Sequence, residues 1–128
     1  GKIRHIGVSN FDVKQLERAR KAAKVVSVQN EYNLGNRESE KVLEHCEKLG
    51  IAFLPWYPLG AGGVLNNSKI KHVAKKLQAT PAQVGLAWLL ARSRAMLPIP
   101  GTGSLEHLEE NMAAAKLKLS KEDFAALG

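Results

Sequence analysis

The most informative part of the sequence is Gly1-Lys-Ile-Arg-His-Ile-Gly-Val-Ser-Asn-Phe11. Its apolar part, Ile3 to Val8, predicts a short strand; Ser9 and Asn10 form a polar tip, and a helical pattern begins at Asp12. A strand, a polar tip and a helix follow one another in α/β enzymes, whose ligands bind at the carboxyl ends of parallel strands. Because the chain has no initial methionine and enters a strand by residue 3, we expect it to be part of a larger enzyme.

The same unit is predicted four times along the chain. Strands are expected at Ile3–Val8, Val25–Gln29, Ile51–Trp56 and Ala95–Ile99. Helices are expected near Val13–Ala23, Arg37–Leu49 (with Asn36 as cap) and Lys69–Leu77, after Thr80-Pro81, near Leu105–Ala115 and, as a closing helix, after the capping box Ser120 to Asp123. Short strand–helix repeats predict parallel strands. Two architectures fit: a small open parallel sheet, or half of an eight-stranded (β/α)8 (TIM) barrel, since a whole barrel needs about 250 residues.

Length and composition limit the class of protein. No linker or low-complexity tract divides the 128 residues, so we expect a single domain over 1–128. The single cysteine, Cys46, excludes an internal disulfide and fits a reducing compartment. No apolar run approaches the roughly 20 residues of a membrane span, and no signal segment opens the chain. A cytoplasmic protein with no membrane partner is the resulting prediction.

The net charge of +7 allows two interpretations. A nucleic-acid-binding domain would gather its basic residues on one face. Here Lys and Arg are spread over most of the helices and often neighbour acids, as Lys14 and Arg18 neighbour Glu17. Solvated helix faces are therefore the favoured interpretation, with no nucleic-acid partner, although the excess charge also suits an anionic small ligand.

Candidate binding residues stand where the predicted strands end. They are Ser9, Asn10, Gln29, Trp56 and Tyr57, and the turn Pro100-Gly-Thr-Gly-Ser104. Amides and an aromatic face suit a flat polar ring, and a glycine-rich turn before a helix suits a phosphate, so together they suggest a dinucleotide. Taken singly, Ser9-Asn10 is better explained as a turn and Trp56 as core. The segment Gly101 to Glu106 lacks the third glycine of the Rossmann pattern, so a standard Rossmann site is rejected.

Acid–base and metal chemistry have little support. His45 and His72 fall on charged helix faces, whereas His5 lies in the first predicted strand and is a candidate for burial. Neither a Ser/His/Asp order nor a metal-binding spacing of Cys and His occurs, so no metal site is predicted. Glu31 shares a strand face with Gln29 and is a candidate buried carboxylate.

Five motifs in order resemble the aldo-keto reductases over essentially the whole chain. They are Ile6-Gly-Val-Ser-Asn-Phe11, Val28-Gln-Asn-Glu31, Pro55-Trp-Tyr-Pro-Leu-Gly60, Thr80-Pro-Ala-Gln-Val84, and Ile99-Pro-Gly-Thr102 with Glu109-Glu-Asn111. The resemblance implies a TIM barrel that reduces aldehydes and ketones with NADPH. This chain is similar to the carboxyl-terminal half of that barrel, strands five to eight, so we expect four parallel β/α units plus a closing helix.

The resemblance also implies a role for each candidate. Ser9, Asn10 and Gln29 would hold the nicotinamide carboxamide, and Trp56 would stack on the nicotinamide. Pyrophosphate would run past Leu59 and Gly60. The adenosine end would be held by Gly101, Thr102, Gly103, Ser104, His107, Glu110 and Asn111.

Two positions depart from the family's pattern. His107 stands where an arginine often binds the 2′-phosphate, and Gly101 stands where a lysine is common. NADH is therefore kept as an alternative to NADPH. The family's catalytic Asp, Tyr, Lys and His belong to the amino-terminal half, so we expect no catalytic residue in this chain and no activity from it alone.

Three hypotheses follow. The first is the cofactor-binding half of a reductase, with nicotinamide dinucleotide and a missing amino-terminal half as partners. The second is an inert half-barrel module that self-associates, because unpaired strand edges and an apolar face would otherwise meet water. A basic nucleic-acid-binding domain is the third and least supported.

Overall fold

Strands and helices alternate over the first half of the chain, and helices dominate the second. The structure is a computed structural model that describes all residues from Gly1 to Gly128. Its elements are β1 (Ile6–Ser9), α1 (Val13–Ala22), β2 (Val25–Glu31), α2 (Glu40–Leu49), β3 (Ala52–Trp56), α3 (Ser68–Leu77), α4 (Pro81–Arg92), α5 (Leu105–Ala113) and α6 (Lys121–Leu127). Short 3-10 turns lie at Gly60–Gly62, Val64–Asn66 and Ala114–Lys116.

The strands form a parallel sheet in the order β1-β2-β3, as the alternation predicted. The first strand is shorter than expected, because it begins at Ile6 and its register is irregular between Ile6 and Gly7. His5, a candidate for burial, is exposed.

The prediction of a full fourth strand at Ala95–Ile99 is wrong. Met96 makes a single parallel bridge to Phe53, supported by hydrogen bonds from Phe53 N to Ala95 O and from Leu97 N to Phe53 O, both 2.8 Å. Pro98 and Pro100 follow, and neither has a backbone N–H to continue the pairing. Of the four expected β/α units, three have full strands and the fourth has this bridge.

The two faces of the sheet differ in burial. Val28 and Phe53 are fully buried and pack in one core with Leu16 of α1 and Leu43 of α2. The opposite face, here called the open face, consists of residues that all remain partly exposed: Ser27, Gln29, Glu31, Ala52, Leu54 and Trp56. The nearly continuous apolar sequence of the third strand suggests burial on both faces, but only one of its faces is buried.

Local capping explains most helix starts. Asp12 accepts from Gln15 N while Gln15 bonds back to the Asp12 backbone, and Thr80 and Gln83 form the same capping box ahead of Pro81. The second helix begins at Glu40 rather than Arg37. Asn36 caps no helix, because its side chain accepts from Glu38 N inside a turn.

The carboxyl-terminal helices close the structure. Ser104 caps α5, and Ser120 caps α6 by accepting from Asp123 N at 3.0 Å. Helix α4 has an unbroken buried stretch from Val84 to Leu89. None of the helices combines the length and apolar composition that crossing a bilayer requires.

Candidate functional site

The ends of the three strands bring the first candidate residues to one edge of the sheet. Ser9 is the register partner of Gln29, and Trp56 is the register partner of Glu31, two residues further along β2. Since side chains alternate along a strand, Gln29 and Trp56 lie on the same face, the open face. The Ser9 hydroxyl donates to Gln29 O at 2.8 Å, which ties the first strand end to the second.

Asn10 connects the outer strand ends. Its backbone is left-handed, with φ of 57°, and its N–H donates to Gln29 O at 3.0 Å. Its Oδ1 accepts from the Trp56 indole Nε1 at 2.9 Å. The indole is therefore held at the edge of the sheet by a hydrogen bond to the candidate beside it.

Several polar groups at this edge keep free hydrogen-bonding capacity. The side-chain amide of Gln29 makes no hydrogen bond within the chain, and Asn10 uses Oδ1 while its Nδ2 has no partner. A carboxamide on a flat ring requires a donor for its oxygen and an acceptor for its nitrogen, and an amide side chain offers both. Together with the half-buried face of Trp56, this donor set fits a nicotinamide ring.

The segment after β3 continues from this edge towards the later candidates. A cleft of about 360 Å³ separates Tyr57, Leu59 and neighbouring residues from Pro100 and Gly101. Gly60, with φ of 57°, donates its N–H to Tyr57 O at 2.8 Å, so that amide is not free for a ligand. This cleft therefore lies between the segment that the resemblance relates to pyrophosphate and the segment that it relates to the adenosine end.

The turn before α5 presents free amides. Thr102 Oγ1 accepts from Ser104 N at 3.1 Å, and Ser104 Oγ accepts from His107 N at 3.3 Å. Five backbone N–H groups of this segment make no hydrogen bond within the chain, namely those of Gly101, Thr102, Gly103, Leu105 and Glu106. Exposed amides at a helix start suit an anion, and His107 lies exposed one turn away.

The last two candidates contact α4. The Glu110 carboxylate accepts from the Thr80 hydroxyl, and its backbone O accepts from Gln83 Nε2 at 3.2 Å. Asn111 lines an apolar cleft of about 270 Å³ with Leu86, Leu90 and their neighbours. These contacts anchor α5 on α4. The side chains of Glu110 and Asn111 therefore pack against α4 and do not join the candidates at the strand ends.

The two tyrosines of this chain differ in burial and in contacts. Tyr32 is fully buried, its hydroxyl donates to Glu40 Oε2 at 2.6 Å, and burial together with that carboxylate raises its pKa. Tyr57 is 56% exposed and meets Trp56 edge-on at 5.0 Å between ring centroids.

Two residues at the site were missed by the sequence analysis. Asn30 and Asn33 are buried, at 6% and 3% exposed, and both bond to the backbone of the loops that carry the candidates. One feature of the sequence could have identified them: asparagine occurs within and just after a valine-rich strand. Asparagine is disfavoured there unless its side-chain amide is hydrogen-bonded.

Comparison with known proteins identifies relatives of the whole chain. The chain is 51% identical over 128 residues to an uncharacterized oxidoreductase of Schizosaccharomyces pombe, covering 99% of this chain and 42% of that protein. It is 49% identical over 127 residues to pyridoxine 4-dehydrogenase of Escherichia coli, covering 99% of this chain and 44% of that protein.

Solved structures of aldo-keto reductases share the fold of this chain. An aldo-keto reductase from Klebsiella pneumoniae in complex with NADPH superimposes with a TM-score of 0.91 at 32% identity, over 99% of this chain and 48% of that one. A thermostable aldo-keto reductase in complex with the inhibitor epalrestat gives 0.90 at 38% identity, over 98% of this chain and 47% of that one.

The chain thus spans less than half the length of each of these relatives. The resemblance first seen in five short motifs extends over the full sequence, because the family's sequence model matches residues 1–128. This α/β chain belongs to the aldo/keto reductase family.

Proposed function

We propose that this chain is the cofactor-binding half of a reductase that converts aldehydes and ketones to alcohols with NADPH. The observation that carries the proposal is the shared edge of Ser9, Asn10, Gln29 and Trp56, where the Gln29 amide and the Asn10 Nδ2 have no partner within the chain and lie beside an aromatic face. The solved relatives that hold NADPH or NADP support the choice of cofactor.

Each part of the site has an expected task. When bound, NADPH supplies the hydride. Trp56 stacks on the nicotinamide, while Ser9, Asn10 and Gln29 orient its carboxamide and so choose which face of the ring is presented. The pyrophosphate follows the cleft beside Leu59.

At the adenosine end, the free amides of the turn before α5 accept phosphate oxygens. His107 lies within reach of this turn along the helix and is the candidate contact for a 2′-phosphate. An imidazole lacks the planar, bidentate guanidinium with which arginine binds a phosphate, so NADH is the alternative cofactor.

The half-barrel architecture is part of the proposal. The open face carries Leu54 and Trp56 partly exposed, and Leu97 beside the bridge is 55% exposed. In a closed barrel such residues are covered by strands from the other side. The chain's share of its relatives' length, below one half, leaves room for an amino-terminal half that carries the catalytic Asp, Tyr, Lys and His.

The test is a titration with NADPH and NADH, followed by isothermal calorimetry, on residues 1–128 alone and on residues 1–128 joined to the amino-terminal half that the proposal requires, here called the full-length protein. We expect binding by the full-length protein, weaker binding by the isolated residues, and reduction of a simple aldehyde only by the former. Absence of NADPH and NADH binding to the full-length protein up to millimolar concentration would refute the proposal.

The alternative function is an inert half-barrel module that self-associates. The observation in its favour is the open face, since exposed apolar side chains on a sheet favour association. Sedimentation of residues 1–128 at micromolar concentration distinguishes the two. A stable dimer with no affinity for NADPH favours the module, whereas a monomer that binds NADPH or is completed by a separately expressed amino-terminal half favours the reductase.

A further inference from the structure

Two buried amides of the second β/α unit hold the loops on either side of β2. The Asn30 side chain donates to Phe11 O at 2.9 Å and accepts from Phe11 N at 3.2 Å. The Asn33 side chain donates to Tyr57 O at 3.0 Å, and its Oδ1 accepts from Gly35 N and Asn36 N, both at 2.9 Å. Each amide therefore fixes the backbone of a loop about 20 residues distant in sequence.

The backbones that Asn30 and Asn33 hold adjoin two left-handed positions, of which the first is tolerated by asparagine and the second is strained for tyrosine. Asn10, which precedes Phe11, has φ of 57°, and Tyr57 itself has φ of 51°. A left-handed backbone is disfavoured for residues other than glycine, above all for a bulky side chain such as tyrosine, and it persists where surrounding contacts hold it. Asn30 and Asn33 supply such contacts from a single element.

The loops held by Asn30 and Asn33 are joined by one hydrogen bond. Asn10 follows β1 and Trp56 ends β3, and these residues meet through Nε1 and Oδ1 at 2.9 Å. Asn30 sets the loop of Asn10, and Asn33 sets the carbonyl next to Trp56. A shift of either loop changes the distance between the indole and the amide.

We propose that Asn30 and Asn33 are positioning residues, which set the plane of the Trp56 indole and the placement of the Asn10 amide for the nicotinamide ring. Because NADPH is the ligand that would use this geometry, the inference rests on the proposed function. Neither residue touches the cofactor; both act through the backbone of Phe11 and Tyr57.

The chain offers a conservative variant and a matched control. Asn33→Asp retains the acceptor bonds to Gly35 N and Asn36 N but cannot donate to Tyr57 O, and Asn30→Asp loses only the donation to Phe11 O. Asn36→Asp, in the same turn, retains its acceptor bond to Glu38 N and adds the same charge without touching either loop. Asn36 is half-buried whereas Asn30 and Asn33 are buried, so Asn36→Asp controls for added charge in the turn, and the uncharged Asn33→Ser controls for the cost of burying that charge.

The first measurement is the indole N–H signal of Trp56 in the nitrogen–proton correlation spectrum of the full-length protein without cofactor, assigned with Trp56→Phe. We expect the signal to shift in Asn30→Asp and Asn33→Asp and to stay in place in Asn36→Asp, while the buried Trp88 indole is unaffected. An unmoved Trp56 signal in both test variants, with a lowered melting temperature, would show a structural role alone and overturn the proposal.

The second measurement is NADPH affinity by calorimetry. Loss of one buried hydrogen bond predicts about fivefold to tenfold weaker binding in both test variants and wild-type binding in Asn36→Asp. If wild-type protein binds no NADPH, the proposed function fails while the indole signal still tests the positioning. If the aspartate variants do not fold, Asn33→Ser decides by the same signal, because its shorter side chain can accept from the turn but cannot reach Tyr57 O.

Discussion

The indole N–H of Trp56 and the side-chain oxygen of Asn10 form a 2.9 Å hydrogen bond that joins the end of β3 to the end of β1, across the intervening β2. An aromatic residue that ends a strand would otherwise rotate about its side-chain torsions. The bond removes that freedom, so the indole face is preset before any ligand arrives, which lowers the ordering cost of binding.

Replacement of Trp56 separates stacking from the hydrogen bond. Loss of base–aromatic stacking costs about 1 to 3 kcal/mol, so Trp56→Ala is expected to weaken NADPH binding by about fivefold to a hundredfold. Trp56→Phe retains an aromatic face and loses only the N–H, so its affinity should fall less. Calorimetric titration checks both, and equal affinity of wild type and Trp56→Ala would exclude Trp56 as the stacking surface.

Gly50 allows the cost of a left-handed backbone to be measured at a position where an added side chain would contact nothing. It ends α2 with φ of 64°, and nothing lies within 4 Å of the place a Cβ would take. Gly50→Ala is therefore expected to lower the free energy of unfolding by about 1 to 2 kcal/mol through the left-handed backbone alone. Urea denaturation measures it, and Gly103→Ala, which adds a Cβ in open space at a residue without positive φ, is the control and should change little.

Acid should weaken the attachment of α6. Lys76 Nζ lies 2.7 Å from Asp123 Oδ1, and the hydrogen bonds from Lys76 and Ser120 lower the pKa of Asp123 below its ordinary value of 3.8. A carboxyl whose pKa is lower in the folded state stabilises the fold above its unfolded pKa, and that contribution is lost as the pH falls through the folded value. The loss is therefore expected below about pH 4.

Asp123→Asn is the variant that checks this titration. Its free energy of unfolding should fall less steeply with acidification below pH 4 than that of wild type, as measured by urea denaturation at several pH values. Glu122→Gln, a neighbour on the same helix, is the matched control. Identical acid dependence of Asp123→Asn and wild type would contradict the role of the Lys76 pair.

The single cysteine should be unreactive in the folded chain. Cys46 is fully buried, and burial raises the pKa of its thiol to about 11. The thiolate is the reactive form, so an aromatic disulfide reagent at pH 8 is expected to modify Cys46 only as fast as the chain opens. Addition of urea should accelerate the reaction to completion, and rapid stoichiometric modification of the native chain would show that this part of the core is accessible.

The sequence predicted those elements whose signals are local. The helices after Asp12 and after Thr80 begin where their capping boxes put them, since a cap depends on residues three positions apart. The start of α2 was predicted too early, because Asn36 belongs to a turn organised by Asn33. The fourth strand failed for a different reason: its pairing depends on a partner more than 40 residues away, and prolines interrupt it.

In the candidate site, too, the sequence predicted some residues and missed others. Ser9, Gln29 and Trp56 follow from strand ends and from alternation, which a sequence displays. The contacts of Asn30 and Asn33 cannot be predicted in this way, because their partners are backbone atoms of Phe11 and Tyr57. Every residue has a backbone carbonyl, so the sequence does not indicate which one accepts a hydrogen bond. Such contacts become visible only when the loops are placed in space.

The bond between Glu110 and Thr80 couples α5, the helix proposed to face the adenosine phosphate, to the rest of the molecule. Glu110 of α5 accepts hydrogen bonds from Thr80 and Gln83, which form the capping box of α4. A ligand that immobilises the turn before α5 should therefore also stabilise the first turn of α4. Amide protons at the start of α4, well away from any nicotinamide, should then exchange with deuterated solvent more slowly when the adenosine end is occupied. Adenosine 2′,5′-bisphosphate, which lacks the nicotinamide entirely, should slow that exchange by itself.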